Sequence, residues 1–218
     1  MINLKKTIIL LSTAPVFLFA QFEYSILKIS PEIEKRMLKG NSHKKDCPIS
    51  LEDLRYLKLK HIDFNSNIKT GELIVHKSVS KEIVAIFQRL YEIKYPIKKM
   101  QLVSNYNGND WDSIEANNTS AYNCRPIEGT KRWSRHAYGK AIDINPIQNP
   151  YISKKGKISH EASQEFRNRV RPNSFNLKQK AVILQNDEIV ELFKKQKWVW
   201  GGDWITIKDY QHFDKRIP

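Results

Sequence analysis

The stretch GELIVH, residues 71–76, has the apolar and β-branched content of a strand. Val79, Ile83, Phe87, Leu90 and Tyr91 then recur at helical spacing, which predicts a helix capped by Ser78 or Ser80 and ended by Pro96. MQLVSNY, residues 100–106, is a second strand candidate, closed by the turn-forming NGND. Residues 111–133 are polar and rich in asparagine and are expected to form a long loop, where functional groups often sit. KAIDIN, residues 140–145, is a third strand, with Ile142 and Ile144 on one face and Ala141, Asp143 and Asn145 on the other.

Residues 152–180 hold many lysines and arginines with little periodicity, as expected of a mobile basic insertion. Asn186 is placed to cap a helix with Asp187 and Glu188 in its first turn and Lys194, Lys195 and Lys197 in its last, the charge order that the helix dipole favours. Ile189, Val190 and Phe193 give that helix an apolar face, and HF at 212–213 resembles a final short strand. Residues 21–45 are charged and weakly patterned, and are expected to form a leader or short helix ahead of a domain spanning 46–218. Strands and helices in this order indicate a single α+β domain with an antiparallel sheet.

Composition changes the picture at the N-terminus. Lys5 and Lys6, the apolar run Thr7–Phe19 and the small Ala20 have the layout of a secretory signal peptide over residues 1–20. The run is short for a membrane span, so no stable span is expected once it is cleaved; an uncleaved anchor is the alternative. Its removal takes two lysines and no acid, and the formal charge falls from +14 to +12. A chain so basic favours an anionic partner, and export makes a membrane surface or a wall polymer a better candidate than nucleic acid. A surface that is merely rich in lysine remains the plainer alternative. The two cysteines, Cys47 and Cys124, suggest one disulfide in an exported protein, or two buried thiols otherwise. Neither lies in a CxxC pair or near a histidine at ligand spacing, which argues against a cysteine metal site.

Six histidines, at 43, 61, 76, 136, 160 and 212, are the remaining candidates for chemistry. His136 precedes a turn at Gly139 that leads into the strand carrying Asp143, so the two side chains can converge. Asp209 precedes His212 by three, an odd spacing that needs a turn if both serve one site. A catalytic zinc takes three protein ligands and keeps one position for water, and His136, Asp143 and His212 meet that count. Asp209 is the candidate to take a proton from the attacking water and return it to the leaving amine. Arg125, in the polar loop, is a candidate to hold the developing oxyanion. On spacing alone, a metal site and a set of polar residues at strand ends remain equal readings.

SRHAYGKAIDINP, residues 134–146, resembles the SxHxxGxAxD motif of the zinc D-alanyl-D-alanine carboxypeptidases and L-alanyl-D-glutamate endopeptidases, and WGGDWITIKDYQHFD, residues 200–214, is similar to the ending of that family, phage endolysins included. The resemblance covers roughly residues 46–218 and is weakest over 152–180. It implies a small α+β domain with a central antiparallel sheet flanked by helices, of the hedgehog and DD-peptidase kind. It implies one Zn2+ held by His136, Asp143 and His212, Asp209 as catalytic base, and Arg125, within NNTSAYNCR, as transition-state stabiliser. Ser134 and Tyr138 either bind substrate or satisfy local backbone. Trp198, Trp200 and Trp204 pack in the core or, for Trp204 in particular, wall a groove. Gly201 and Gly202 are expected to serve a tight turn.

The implied function is an exported, periplasmic or cell-wall, monomeric zinc metallopeptidase that hydrolyses peptidoglycan stem peptides, first as a D-alanyl-D-alanine carboxypeptidase. The alternatives are an L-alanyl-D-glutamate endopeptidase of the same family and a non-catalytic wall-binding protein. A nucleic-acid partner is disfavoured by the leader and by the lack of any recognisable motif for one.

Overall fold

The computed structural model describes residues 21–173 and 175–216, so the expected signal segment 1–20 lies outside the described residues. Tyr24–Lys28 forms β1, Pro31–Lys39 forms α1, and Leu54–Ile62 and Ile68–His76 form β2 and β3. These three strands make one antiparallel sheet in the order β1-β2-β3. The β2–β3 hairpin runs in register from Leu54 opposite His76 to Ile62 opposite Ile68. Asp63 closes it by accepting from the backbone N–H groups of Asn65 and Asn67, both at 2.8 Å, an Asx turn.

The segment expected to lead into the domain is part of it. β1 pairs with β2 along five residues, from Tyr24 opposite Leu59 to Lys28 opposite Arg55. In α1, Ser30 accepts from the N–H of Ile33, and Pro31 takes the first turn, where its missing donor costs nothing. Ile33 and Met37, four apart on one stripe, pack with Leu54, Tyr56, Ile74, Leu102 and Tyr122. Arg36 binds Glu72 of β3 through two hydrogen bonds, at 2.8 and 2.9 Å. Those two apolar residues are all that distinguishes this stretch from a solvated run.

Ser80–Glu92 forms α2, whose Ile83, Val84, Ile86, Phe87 and Leu90 face the main core. Neither Ser78 nor Ser80 caps it: Val79 stands at the N-cap, while the Ser80 hydroxyl donates to the carbonyl of Lys77 at 2.9 Å. The helix ends at Glu92, and the left-handed Lys94, at φ 53°, turns the chain before Pro96. The strand expected over 100–106 is only Lys99–Met100, β4, because Val103–Tyr106 winds into a 3-10 turn.

The asparagine-rich stretch is not a loose loop. Asp110–Glu115 forms α3, capped by the Asn109 side chain, which accepts from the N–H of Trp111 at 2.9 Å. Asn118–Thr119, β5, pairs in parallel with β4. Asn117, Asn118 and Asn123 are buried, with side-chain amides bonded to other buried groups and to backbone; Asn118, for instance, both accepts from the N–H and donates to the C=O of Gln101. Amide side chains here stand in for missing ladder partners.

Ala141–Asp143 forms β6, Tyr151–Ile152 β7, Leu177–Lys180 α4, Glu188–Lys195 α5, Val199–Trp200 β8, Lys208–Asp209 β9 and His212–Asp214 β10. The second sheet is antiparallel, ordered β6-β10-β8, and β7 pairs with β9. The expected central sheet is therefore two small ones, linked by the core of Leu57, Leu73, Phe87, Ile142, Phe193, Trp200 and Phe213. α5 starts one residue later than expected: Asn186 is left-handed, at φ 66°, and Asp187 takes the N-cap. Together these elements make an α+β domain.

The described part of the segment 152–180 is tied to the rest of the domain at several points. Phe166 packs with Ile147 and Val182. Arg169 donates to the carbonyls of Gln148 (2.5 Å) and Ile183 (2.6 Å) and to the Asn149 side chain (2.8 Å), with its guanidinium 4.3 Å from the Tyr210 ring centre. Its aperiodic sequence reflects short helical turns and loops rather than one long element. Among the described residues no helix is long and apolar enough to cross a membrane.

Cys47 and Cys124 form a disulfide, with Cα atoms 5.8 Å apart and a sequence separation of 77. It ties the chain after α1 to the segment that leads into β6, closing a loop between positions 77 apart. Replacing both by alanine is expected to lower unfolding stability by ~2–4 kcal/mol, read from the denaturant midpoint, and dithiothreitol should lower the wild-type midpoint but not that of the double variant.

Candidate metal centre

The turn that carries His136 is fixed at both ends. The Ser134 hydroxyl accepts from the N–H of His136 at 3.3 Å and starts a 3-10 turn over Arg135–Tyr138. Gly139 ends the turn at φ 64°, a conformation that suits glycine, and its carbonyl accepts from the N–H of His76 at 2.8 Å. A Cβ at Gly139 would stand 2.6 Å from that nitrogen, so the site turn sits tightly on β3.

β6 and β10 bring the other two residues together. His212 lies directly opposite Asp143, and opposed residues of an antiparallel pair share a face. The Nδ1–H of His136 donates to the Ala121 carbonyl at 2.5 Å, which leaves Nε2 as the free lone pair. That Nε2 lies 3.3 Å from His212 Nδ1 and 3.2 Å from an Asp143 carboxylate oxygen, and His212 Nδ1 lies 2.9 Å from the other oxygen. Four tetrahedral ligands at zinc's bond lengths stand roughly 3.3 Å apart. Two imidazole nitrogens and one carboxylate, their ligand atoms all within 4.8 Å of one another, thus fit a zinc ion in kind and spacing.

Burial drives the electrostatics in two directions. It disfavours the Asp143 anion, but the charges and hydrogen bonds of His136 and His212 outweigh it and hold the carboxyl well below the usual range. Burial also disfavours a charged His212, yet hydrogen bonds and charge from Asp143 and Asp214 push its pKa up to about 10. Asp214 sits 3.7 Å from His212 Nε2, on the side away from the cluster. It was missed in the sequence, although an acid two residues beyond a ligand histidine on one strand shares its face.

Asp209 ends β9, and Tyr210–Gln211 supplies the turn that its spacing from His212 demands. Its carboxyl is pushed up to about 6, by burial first, with the Asp143 charge adding and His212 and His136 opposing. One of its oxygens is buried without a hydrogen-bond partner. Gly201 explains how the strand comes so close: a Cβ there would collide with the Asp209 carbonyl. Gly202 likewise lies against the Trp200 indole. Both glycines lie in the 3-10 turn Gly201–Asp203, the tight turn expected of them, with φ negative, and both also allow close approach.

Trp198 and Trp200 are core residues, whereas Trp204 is partly exposed, 5.5 Å ring to ring from His212, with its indole N–H buried and unpartnered. The Ser134 hydroxyl is committed to its own turn, and Tyr138 is half-buried. The Arg125 guanidinium is ion-paired with Asp110, which also accepts from the Asn123 side chain at 2.7 Å. Its acidic partner, fifteen residues upstream, left no mark in the spacing.

Residues 128–215 match the family model described as D-alanyl-D-alanine carboxypeptidase. The match spans 88 of the 218 residues and makes this part of the chain similar to that peptidase family. No curated protein and no solved structure matches the chain. The matched part of the peptidase contains His136, Asp143, Asp209 and His212 and leaves Arg125 and both cysteines outside.

In the metal-free peptidase His212 should stay protonated until the pH approaches about 10. A dication taking Nδ1 must displace that proton. Zinc affinity is therefore expected to fall as the pH is lowered from 9 to 6, by roughly tenfold per unit for one proton displaced. Calorimetry in buffers of different ionisation enthalpy should count about one proton released per zinc at neutral pH.

Proposed function

We propose that the protein is an exported zinc peptidase that trims peptidoglycan stem peptides as a D-alanyl-D-alanine carboxypeptidase. The observation that carries this reading is the buried His136–Asp143–His212 cluster beside a carboxylate, Asp209, with one oxygen uncommitted, all within the segment that matches the family. His136, Asp143 and His212 would hold one Zn2+. Bound there, zinc supplies Lewis acidity and makes a coordinated water acidic near neutral pH.

The chain's own groups do the rest. Asp209, ionised, takes a proton from the attacking water and later returns it to the leaving amine. Its raised pKa makes it a better base than an ordinary aspartate and a usable acid in the second step. Arg125, held by Asp110, is assigned to the developing oxyanion. Trp204 and Tyr138 are assigned to substrate; Ser134 would help by fixing the His136 turn. Gln211 and Asp214 flank His212 and limit its movement.

The disulfide supports export, since such bonds persist in oxidising compartments. The formal charge, +14 for the full chain and +12 without residues 1–20, suits an anionic wall. Cleavage of the L-alanyl-D-glutamate bond uses the same groups, and products separate the two reactions. Mass spectrometry of digested peptidoglycan should find free D-alanine; new N-terminal D-glutamate in its place would assign the endopeptidase activity. A wall-binding protein without catalysis would release neither.

Asp209→Ala is expected to lower kcat by roughly 10²–10⁴-fold with zinc content unchanged by metal analysis; unchanged hydrolysis would remove Asp209 as the base. The ionised carboxylate is the active form, so kcat/KM should fall as pH drops through the Asp209 pKa. That acid limb should lie at or below about 6, because a bound dication stabilises the anion.

A further inference from the structure

β7 pairs with β9 so that Tyr151 stands directly opposite Asp209. Opposed residues of an antiparallel pair project from the same face, with Cβ atoms about 4.5–5.5 Å apart. Asp209 acts electrostatically on Asp143, His136 and His212, so this is the face turned to the metal cluster. Tyr151 is nevertheless 42% exposed, and among the described residues its hydroxyl has no hydrogen-bond partner. Burial, then the charges of Asp209 and Glu128, raise the phenol's pKa, so it keeps its proton near neutral pH and can only gain by donating it. Three other donors already have partners, Arg125 in Asp110, His136 Nδ1 in the Ala121 carbonyl and Ser134 within its turn, whereas the Trp204 indole N–H, like the Tyr151 hydroxyl, has none.

Resting on the peptidase reading above, we propose that Tyr151 is a substrate-binding residue whose hydroxyl donates a hydrogen bond to a carbonyl or carboxylate oxygen of the bound stem peptide. Its ring forms the wall of the cleft beside Asp209, and a planar amide lies against that wall. The residue comes from the start of the 152–180 segment's anchoring strand, so that segment reaches the site through β7. A purely structural Tyr151 would need a packing partner for its ring or a bonded hydroxyl, and its exposure and free hydroxyl fit neither.

The test compares the full chain with Tyr151→Phe and Tyr151→Ala, all zinc-loaded, on a peptidoglycan stem pentapeptide. Tyr151→Phe should raise KM roughly 5–10-fold, the loss of one neutral hydrogen bond, with kcat within about twofold. Tyr151→Ala should raise KM further by removing the wall, and both should keep wild-type zinc content and melting temperature. Calorimetric Kd values for the uncleaved pentapeptide, measured in an Asp209→Asn background, should shift by the same factors. An active wild type whose KM and Kd are unmoved in both variants overturns the role of Tyr151 alone. A wild type that neither binds nor cleaves the pentapeptide overturns the peptidase reading, and this role with it.

Discussion

The pairing of β6 with β10 sets His212 opposite Asp143, and the rest of the site is arranged around that one register. A slip of one residue would turn every side chain of β10 to the other face. Phe213 would leave the core, and His212 would leave Asp143. The register is held because Phe213 is fully buried between Phe193, 4.0 Å away ring to ring, and Trp200. Hydrophobic packing on one face of a three-residue strand thus fixes the polar geometry on the other.

That polar face collects two imidazoles and two carboxylates where water is scarce, and burial treats them unequally. Asp143 has both histidines within hydrogen-bond reach and stays an anion. Asp209 faces the same histidines only at longer range, with Asp143 as a like charge, and its proton affinity rises. One environment therefore shifts two carboxylates in opposite directions, as the proposed roles of ligand and base require. The partner of each, more than its depth, decides which role it can fill.

The motif residues were legible because their chemistry is unusual in any one stretch: a histidine and an aspartate around a glycine turn, then an acid and a histidine three apart. Ile142, Ile144 and the α2 stripe were legible as periodicity. The N-terminal strand and α1 were not, since only Ile33 and Met37 mark the apolar side of a charged helix. The asparagine stretch misled for a related reason: Asn118 and Asn123 look like loop residues, yet they are buried because their amides replace backbone partners. The opposition of Tyr151 to Asp209 and the Arg125–Asp110 pair depend on contacts distant in sequence, which no local pattern encodes.

The basic segment shows how a region without periodicity still contributes to the centre. Its Arg169 is largely buried and has carbonyl oxygens and the Tyr210 ring as its closest partners, with burial lowering its pKa to about 10. A cation so placed is costly unless its donors are used; both terminal nitrogens are bonded while Nε is buried without a partner, and three of its contacts reach separate stretches: the chain before β7, the chain before α5, and the turn between β9 and β10. Arg169 therefore holds β7 and β9 in one frame. The position of Asp209 depends on Gly201 giving it room and on the β7–β9 pairing giving it a direction. The segment expected to be a mobile insertion thus helps to set the position of Asp209 beside the cluster.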